Sequence, residues 1–181
     1  MKFDKFLKKI PSKIKKDPLF SLFVVATILI ALFFRTYNYS ERIYIQADNS
    51  RDLQVATYAK DTLQLPQIGQ FSSAGPFFYG PWYYWYQTSI SFIPLGFLTH
   101  WYAMTFIYLV FIYLIYWVGK QIGNKWLGAQ AALLAAISPS QINQSFNIWN
   151  PAIVPFLTLL TIVFALKYTN TKKQLYIFLL G

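Results

Sequence analysis

The chain has 181 residues, 56% of them hydrophobic and 12% charged, with a formal net charge of +10. A soluble domain of this size would be about a quarter charged, so the composition excludes an ordinary globular domain and predicts an all-α integral membrane protein. Lys and Arg fall in short clusters between apolar runs, a positive-inside pattern rather than a nucleic-acid footprint, and the absence of cysteine removes disulfide and thiol chemistry.

Residues 1–17 carry seven lysines and read as a basic cytoplasmic N-terminus. The apolar run that follows is long, ends at Arg35 and lacks a small-residue cleavage site, so 18–35 is expected to be a retained transmembrane helix rather than a cleaved signal. Further apolar segments lie at about 82–99, 101–119, 126–139 and 151–166, and one begins at Leu175. A span needs about 20 residues, so 174–181 reads as the start of a truncated helix and the chain as the front part of a longer multi-span bundle.

The segment 82–99 decides the topology. If it spans, Lys120, Lys125, Lys167, Lys172 and Lys173 all fall outside. If it lies at the surface or re-enters, the loops 120–125 and 167–173 become cytoplasmic, as the charge bias prefers. On this reading 36–100 is one large outer loop, 101–119, 126–139 and 151–166 are spans, and 140–150 is a second outer loop. The protein then sits in the plasma membrane with its N-terminus inside and two polar stretches meeting on the outer face.

The first of these stretches, QADNSRDLQVATYAKD, holds Asp48, Arg51 and Asp52, and no Asp or Glu follows Asp61. Residues 48–63 fit an amphipathic helix. With Asp48 at zero, Asp52, Val55, Ala56, Ala59 and Leu63 fall within about −20° to +80° at about 100° per residue. Both Asp48 and Asp52 are therefore expected on the apolar stripe, with Asp61 on the wet face and Glu41 at the surface. An N-cap role for Asp48, paired with Arg51, would account for Asp48 but not for Asp52. A carboxyl held against an apolar surface resists ionisation, which suits a general base.

Eight of the ten residues from Phe77 to Tyr86 are aromatic, and Gly75-Pro76 and Gly80-Pro81 punctuate the stretch with turns. These side chains form either an interfacial belt or planes that stack on sugars and line a channel for lipid tails, with Tyr79, Tyr83 and Tyr84 as candidate substrate contacts. The uncharged loop 138–150 offers Asn147, Trp149 and Asn150 to sugar hydroxyls, or is simply a polar connection with Pro151 opening the next helix. His100 has no second His or Cys beside it in the sequence and reads as interfacial rather than metal-binding.

The order of these motifs resembles the GT-C superfamily of integral-membrane glycosyltransferases, which includes protein O-mannosyltransferases and lipid A aminoarabinose transferases. The matching residues are Asp48-Asn-Ser-Arg51-Asp52, Leu65-Pro66-Gln-Ile68-Gly69-Gln-Phe-Ser72, Gly80-Pro81-Trp-Tyr83-Tyr84-Trp85, Ser138-Pro139 and Trp149-Asn150-Pro151. The resemblance implies a polyprenyl-phosphate sugar as donor, an acceptor glycan, lipid or protein, and inversion at the anomeric carbon. It implies Asp48 as general base, with Asp52 as the other candidate, and Arg51 as a cation for the departing phosphate. Asn49 stands where several members have a second acid, and the second outer loop has no carboxylate, so the expectation is an enzyme without a metal or other cofactor. A transporter or flippase for a lipid-linked sugar is the alternative; it predicts charged sites near the bilayer midplane and an internal repeat. A non-catalytic scaffold would tolerate loss of both acids.

Overall fold

The computed structural model describes residues 17–179, and the basic stretch 1–16 lies outside them. The fold is all-α. The helices in chain order are α1 (Pro18–Thr36), α2 (Tyr39–Arg42), α3 (Ala47–Thr62), α4 (Trp82–Ser91), α5 (Thr99–Ile122), α6 (Lys125–Ile137), α7 (Pro139–Gln144), α8 (Asn150–Thr171) and α9 (Gln174–Phe178).

Three of them, α1, α5 and α8, are long and apolar enough to cross a membrane. The first begins where Asp17 caps it, accepting from the Phe20 amide at 3.1 Å, and Pro18 occupies the first turn, where its missing N–H costs nothing. The 13-residue α6 is about 20 Å long at 1.5 Å per residue, well short of a ~30 Å hydrocarbon core. Ser138, in extended conformation, ends it, and Pro139 opens α7. The segment 82–99 is helical only as far as Ser91; a turn through Pro94 and Gly96, which sits at φ +82°, leads into α5. Ten helical residues rise about 15 Å.

Side-chain contacts fix the relative directions. Lys125 at the start of α6 pairs with Asp17 at the start of α1. Arg35 near the end of α1 donates to Ala136 O at 3.0 Å and Ala135 O at 3.4 Å, at the end of α6. These two helices therefore run parallel. Thr105 and Tyr108, early in α5, reach Ser145 O at 3.0 Å and Ala152 O at 2.7 Å, just before and just inside α8, so those two helices also start together. One end of the bundle thus gathers α3, α4, α7 and the loops between them. The other end gathers Lys120, Lys125, Lys167, Lys172 and Lys173.

Arg35 is fully buried, and among the described residues no carboxylate pairs with it. Its charge answers the unpaired carbonyls and negative dipole end of α6 instead. Between apolar helices in lipid there is little hydrophobic drive, so close packing must hold them. Here Ala129, Ala132, Ala135 and Ala136 are all buried. Gly119 faces Gly128 so closely that a Cβ on Gly119 would lie 2.8 Å from the Gly128 Cα.

Candidate functional site

The gathered polar end is built from the residues of three separate motifs. Helix α3 buries Asn49, Asp52, Ala56 and Ala59. These positions recur every three or four residues and form one helical face. Three of the four are uncharged, and the fourth, Asp52, has a side chain only 1% exposed.

Arg51 joins the two acids. Its Nη1 donates to Asp48 Oδ1 at 2.9 Å, while Nε and Nη2 donate to Asp52 Oδ1 at 3.0 and 2.8 Å. The second oxygen of Asp52 accepts from Gln70 Nε2. The other end of that amide, Gln70 Oε1, accepts from Asn150 Nδ2 at 3.2 Å. A continuous polar chain therefore runs Asp48–Arg51–Asp52–Gln70–Asn150, from α3 through the loop to the first residue of α8.

Gln70 is held in place by its backbone. Residues 69–79 form a small hairpin in which Gly69 N donates to Tyr79 O, Tyr79 N to Gln70 O and Ser72 N to Phe77 O, each at 2.9 Å. At Gly69 a Cβ would collide with the Gly80 and Tyr79 carbonyl oxygens, so no larger residue fits without moving the strand. Trp85 pins the approach by donating to Pro66 O at 2.8 Å. Together, the glycine and the tryptophan set where the Gln70 amide points.

Burial pushes the Asp52 carboxyl above the ordinary aspartate value of 3.8, against the opposing pull of Arg51 and the Gln70 hydrogen bond. For Arg51 burial also works against the charge, but Asp52 and Asp48 outweigh it and hold the guanidinium protonated. The two shifts are compatible: the Asp52 and Asp48 charges favour the Arg51 cation, while burial disfavours the Asp52 carboxylate. Tyr84 stands beside this pair, and its phenol is pushed up first by burial and then by the Asp52 charge.

Asp48 departs from expectation. Its side chain is 57% exposed, so it lies just off the buried stripe, and the environment predicted for both acids belongs to Asp52 alone. Only its Oδ1 is engaged, by Arg51, among the described residues. Leu63, expected on the same stripe, is exposed because it sits in the left-handed region at φ 56° and ends the helix.

Tyr83 is also corrected. It is fully buried, its hydroxyl donates to Ile148 O and accepts from Gln87 Nε2 at 2.6 Å, and no face is left for a substrate. It belongs to a second buried chain in which Gln87 Oε1 meets His100 Nδ1 at 2.6 Å and His100 Nε2 meets Ser91 Oγ at 3.3 Å. His100 is therefore buried, and it ties α4 to α5. Tyr79 is exposed, with its hydroxyl accepting from Ser72 Oγ at 3.3 Å. Trp149 donates to Gln144 Oε1 at 3.2 Å, and Asn147 keeps a buried Oδ1 that has no partner among the described residues; neither joins the Asp52 chain.

Of the expected site residues, then, Asp48, Arg51, Asp52, Tyr84 and Asn150 come together. Sequence reasoning missed Gln70, the residue that links two of the motifs. Its one signal was membership of the Leu65–Ser72 motif, which carries two amides, Gln67 and Gln70, and does not show which one reaches across. Among the described residues no three His, Cys, Asp or Glu side chains converge on a point that could hold a metal. No family model matches the chain, and neither a curated protein nor a solved structure matches it.

Proposed function

We propose that the protein is a membrane glycosyltransferase that moves a sugar from a polyprenyl-phosphate donor to an acceptor hydroxyl on the outer face of the plasma membrane. The observation that carries this reading is the polar chain from Asp48 to Asn150. It joins three sequence motifs at the end of the bundle where α5 and α8 begin. A donor anchored in lipid places its reacting phosphate at that boundary.

The two acids divide the work. Asp52 has both oxygens occupied and its side chain enclosed, so it positions Arg51 and Gln70. Asp48 is the acid a substrate can reach, with one oxygen unspent. It takes the proton of the acceptor hydroxyl as that oxygen attacks the anomeric carbon; the bond from carbon to phosphate oxygen breaks, and the lipid phosphate leaves with the electron pair. Arg51 is 44% exposed and keeps N–H donors on Nη1 and Nη2 for the departing phosphate. The leaving group is already anionic, so only the acceptor needs acid–base help.

The test supplies the intact gene product, in membranes, with radiolabelled polyprenyl-phosphate sugars. Wild type should transfer label, and Asp48→Asn should lose about 10²–10⁴-fold, the usual worth of a positioned base. Equal transfer by both proteins would remove Asp48 as the base. Absence of turnover from any donor, in folded protein, would favour the transporter or scaffold.

A further inference from the structure

A groove of about 860 Å³ lies on the far side of α3 from the acids, between that helix and the turn leading into α5. Asp61, on its wall, is nine residues from Asp52 and so about 180° around the helix. This groove shares no lining residue with the Asp48–Asn150 chain.

Its two walls differ in chemistry. Helix α3 contributes Gln54, Lys60 and Asp61, and the turn contributes Phe92, Ile93 and Phe97. Among the described residues, neither Lys60 nor Asp61 has an ion-pair partner. Phe92, Ile93 and Phe97 are exposed although they immediately precede α5. No charged residue occurs from Thr62 to Gly119, so the apolar wall is continuous with the part of the chain that meets lipid tails.

We propose that this groove binds a glycerophospholipid with a zwitterionic headgroup, of the phosphoethanolamine kind. The phosphate meets Lys60, the ammonium meets Asp61, and an acyl chain lies along Phe92, Ile93 and Phe97. The choice of headgroup follows from charge complementarity. An anionic headgroup would satisfy Lys60 but face Asp61 unpaired, and an uncharged one would leave both without a partner. A free sugar would leave the apolar wall in water. The volume lies in the range of ordinary ligand clefts. The inference rests on the membrane placement proposed above and not on glycosyl transfer.

The full chain, purified in detergent, is offered equimolar phosphatidylethanolamine, phosphatidylglycerol and diacylglycerol with the same acyl chains, and retained lipid is counted by native mass spectrometry. Phosphatidylethanolamine should be retained about two- to fivefold over each of the others, as expected for partly exposed ion pairs. Lys60→Gln and Asp61→Asn should each erase that preference while leaving diacylglycerol retention and the thermal melt unchanged. Equal retention of all three lipids by wild type would overturn the proposal. So would a preference for phosphatidylglycerol that persists in Asp61→Asn, which marks a plain cation site. Because lipid retention is read without any transfer reaction, failure here is distinct from failure of the transferase reading.

Discussion

The two layers of this molecule are held together by different physics. In the apolar layer, α5 and α6 meet through Gly119 and Gly128, and α1 meets α6 across buried alanines. Shape decides the middle of that contact, with the Lys125–Asp17 pair and the Arg35 hydrogen bonds closing its two ends. In the polar layer, α3, the hairpin and the start of α8 meet through a chain of named hydrogen bonds, Arg51 to Asp52 to Gln70 to Asn150. One layer should be intolerant of volume and the other intolerant of a lost partner.

The sharpest way to break this comparison is to make the same substitution in both. Gly128→Ala puts a Cβ against the Tyr116 carbonyl oxygen and 2.9 Å from the Lys120 nitrogen, both helix backbone. Two packed helices cannot yield locally, so we expect a loss of about 1–3 kcal/mol, read as a lowered thermal midpoint of the whole chain in detergent. Gly69→Ala meets the Gly80 and Tyr79 carbonyls, but in a two-stranded hairpin that can shift. The expected global loss is smaller, at about 1 kcal/mol. Faster hydrogen exchange should be confined to the amides of Gly69, Ser72 and Tyr79. If both variants lowered the midpoint equally with no local signature, the two layers would not differ as described.

A third substitution tests the polar layer alone. Gln70→Leu keeps bulk but removes the donor to Asp52 Oδ2 and the acceptor for Asn150. Leaving a buried carboxylate oxygen unpaired costs about 3 kcal/mol, at the upper end for buried polar groups. Transfer activity should fall further than stability predicts, because Arg51 loses the fixed partner that aims it, and Gln70→Glu should not restore it.

The difference between the layers also explains what could be read from sequence. The long apolar helices announce themselves by composition, and three of them have the length and hydropathy of spans. The buried face of α3 does not, because its members are Asn49, Asp52, Ala56 and Ala59. The one bulky residue at the angle of that face, Leu63, is exposed because it ends the helix. A stripe drawn from Val55 at about −20° to Ala56 at about +80° therefore took in Asp48, which in the structure stands at its edge. The grouping of Asp48, Arg51 and Asp52 was legible from i, i+3 and i+4 spacing. The reach of Gln70 across to Asn150 was not, because their contact spans 80 residues and depends on a hairpin whose register is set by Gly69. Tyr83 misled for a related reason. An aromatic in a run of aromatics carries no sign of which one turns inward, and here Gln87 and the Ile148 carbonyl select it.

The subtlest expected effect concerns the proton on Asp52. Its carboxyl is pushed above 3.8 in the folded state because burial outweighs Arg51 and Gln70. The folded chain thus holds this proton more tightly than the unfolded chain does, and the associated stability is complete below about 3.8 and is lost as pH rises through the folded value. Asp52→Asn carries a neutral side chain of the same shape at every pH. The stability of the variant relative to wild type should therefore climb as pH rises through the window just above 3.8, and level off once wild-type Asp52 is ionised. Thermal midpoints of both proteins, measured side by side in detergent from acid to neutral pH, give that difference directly. A difference that falls with rising pH instead would mean that Arg51 stabilises the carboxylate by more than burial penalises it. The ion pair with Arg51 would then outweigh the burial of Asp52, and the polar layer would gain stability from that charge rather than lose it.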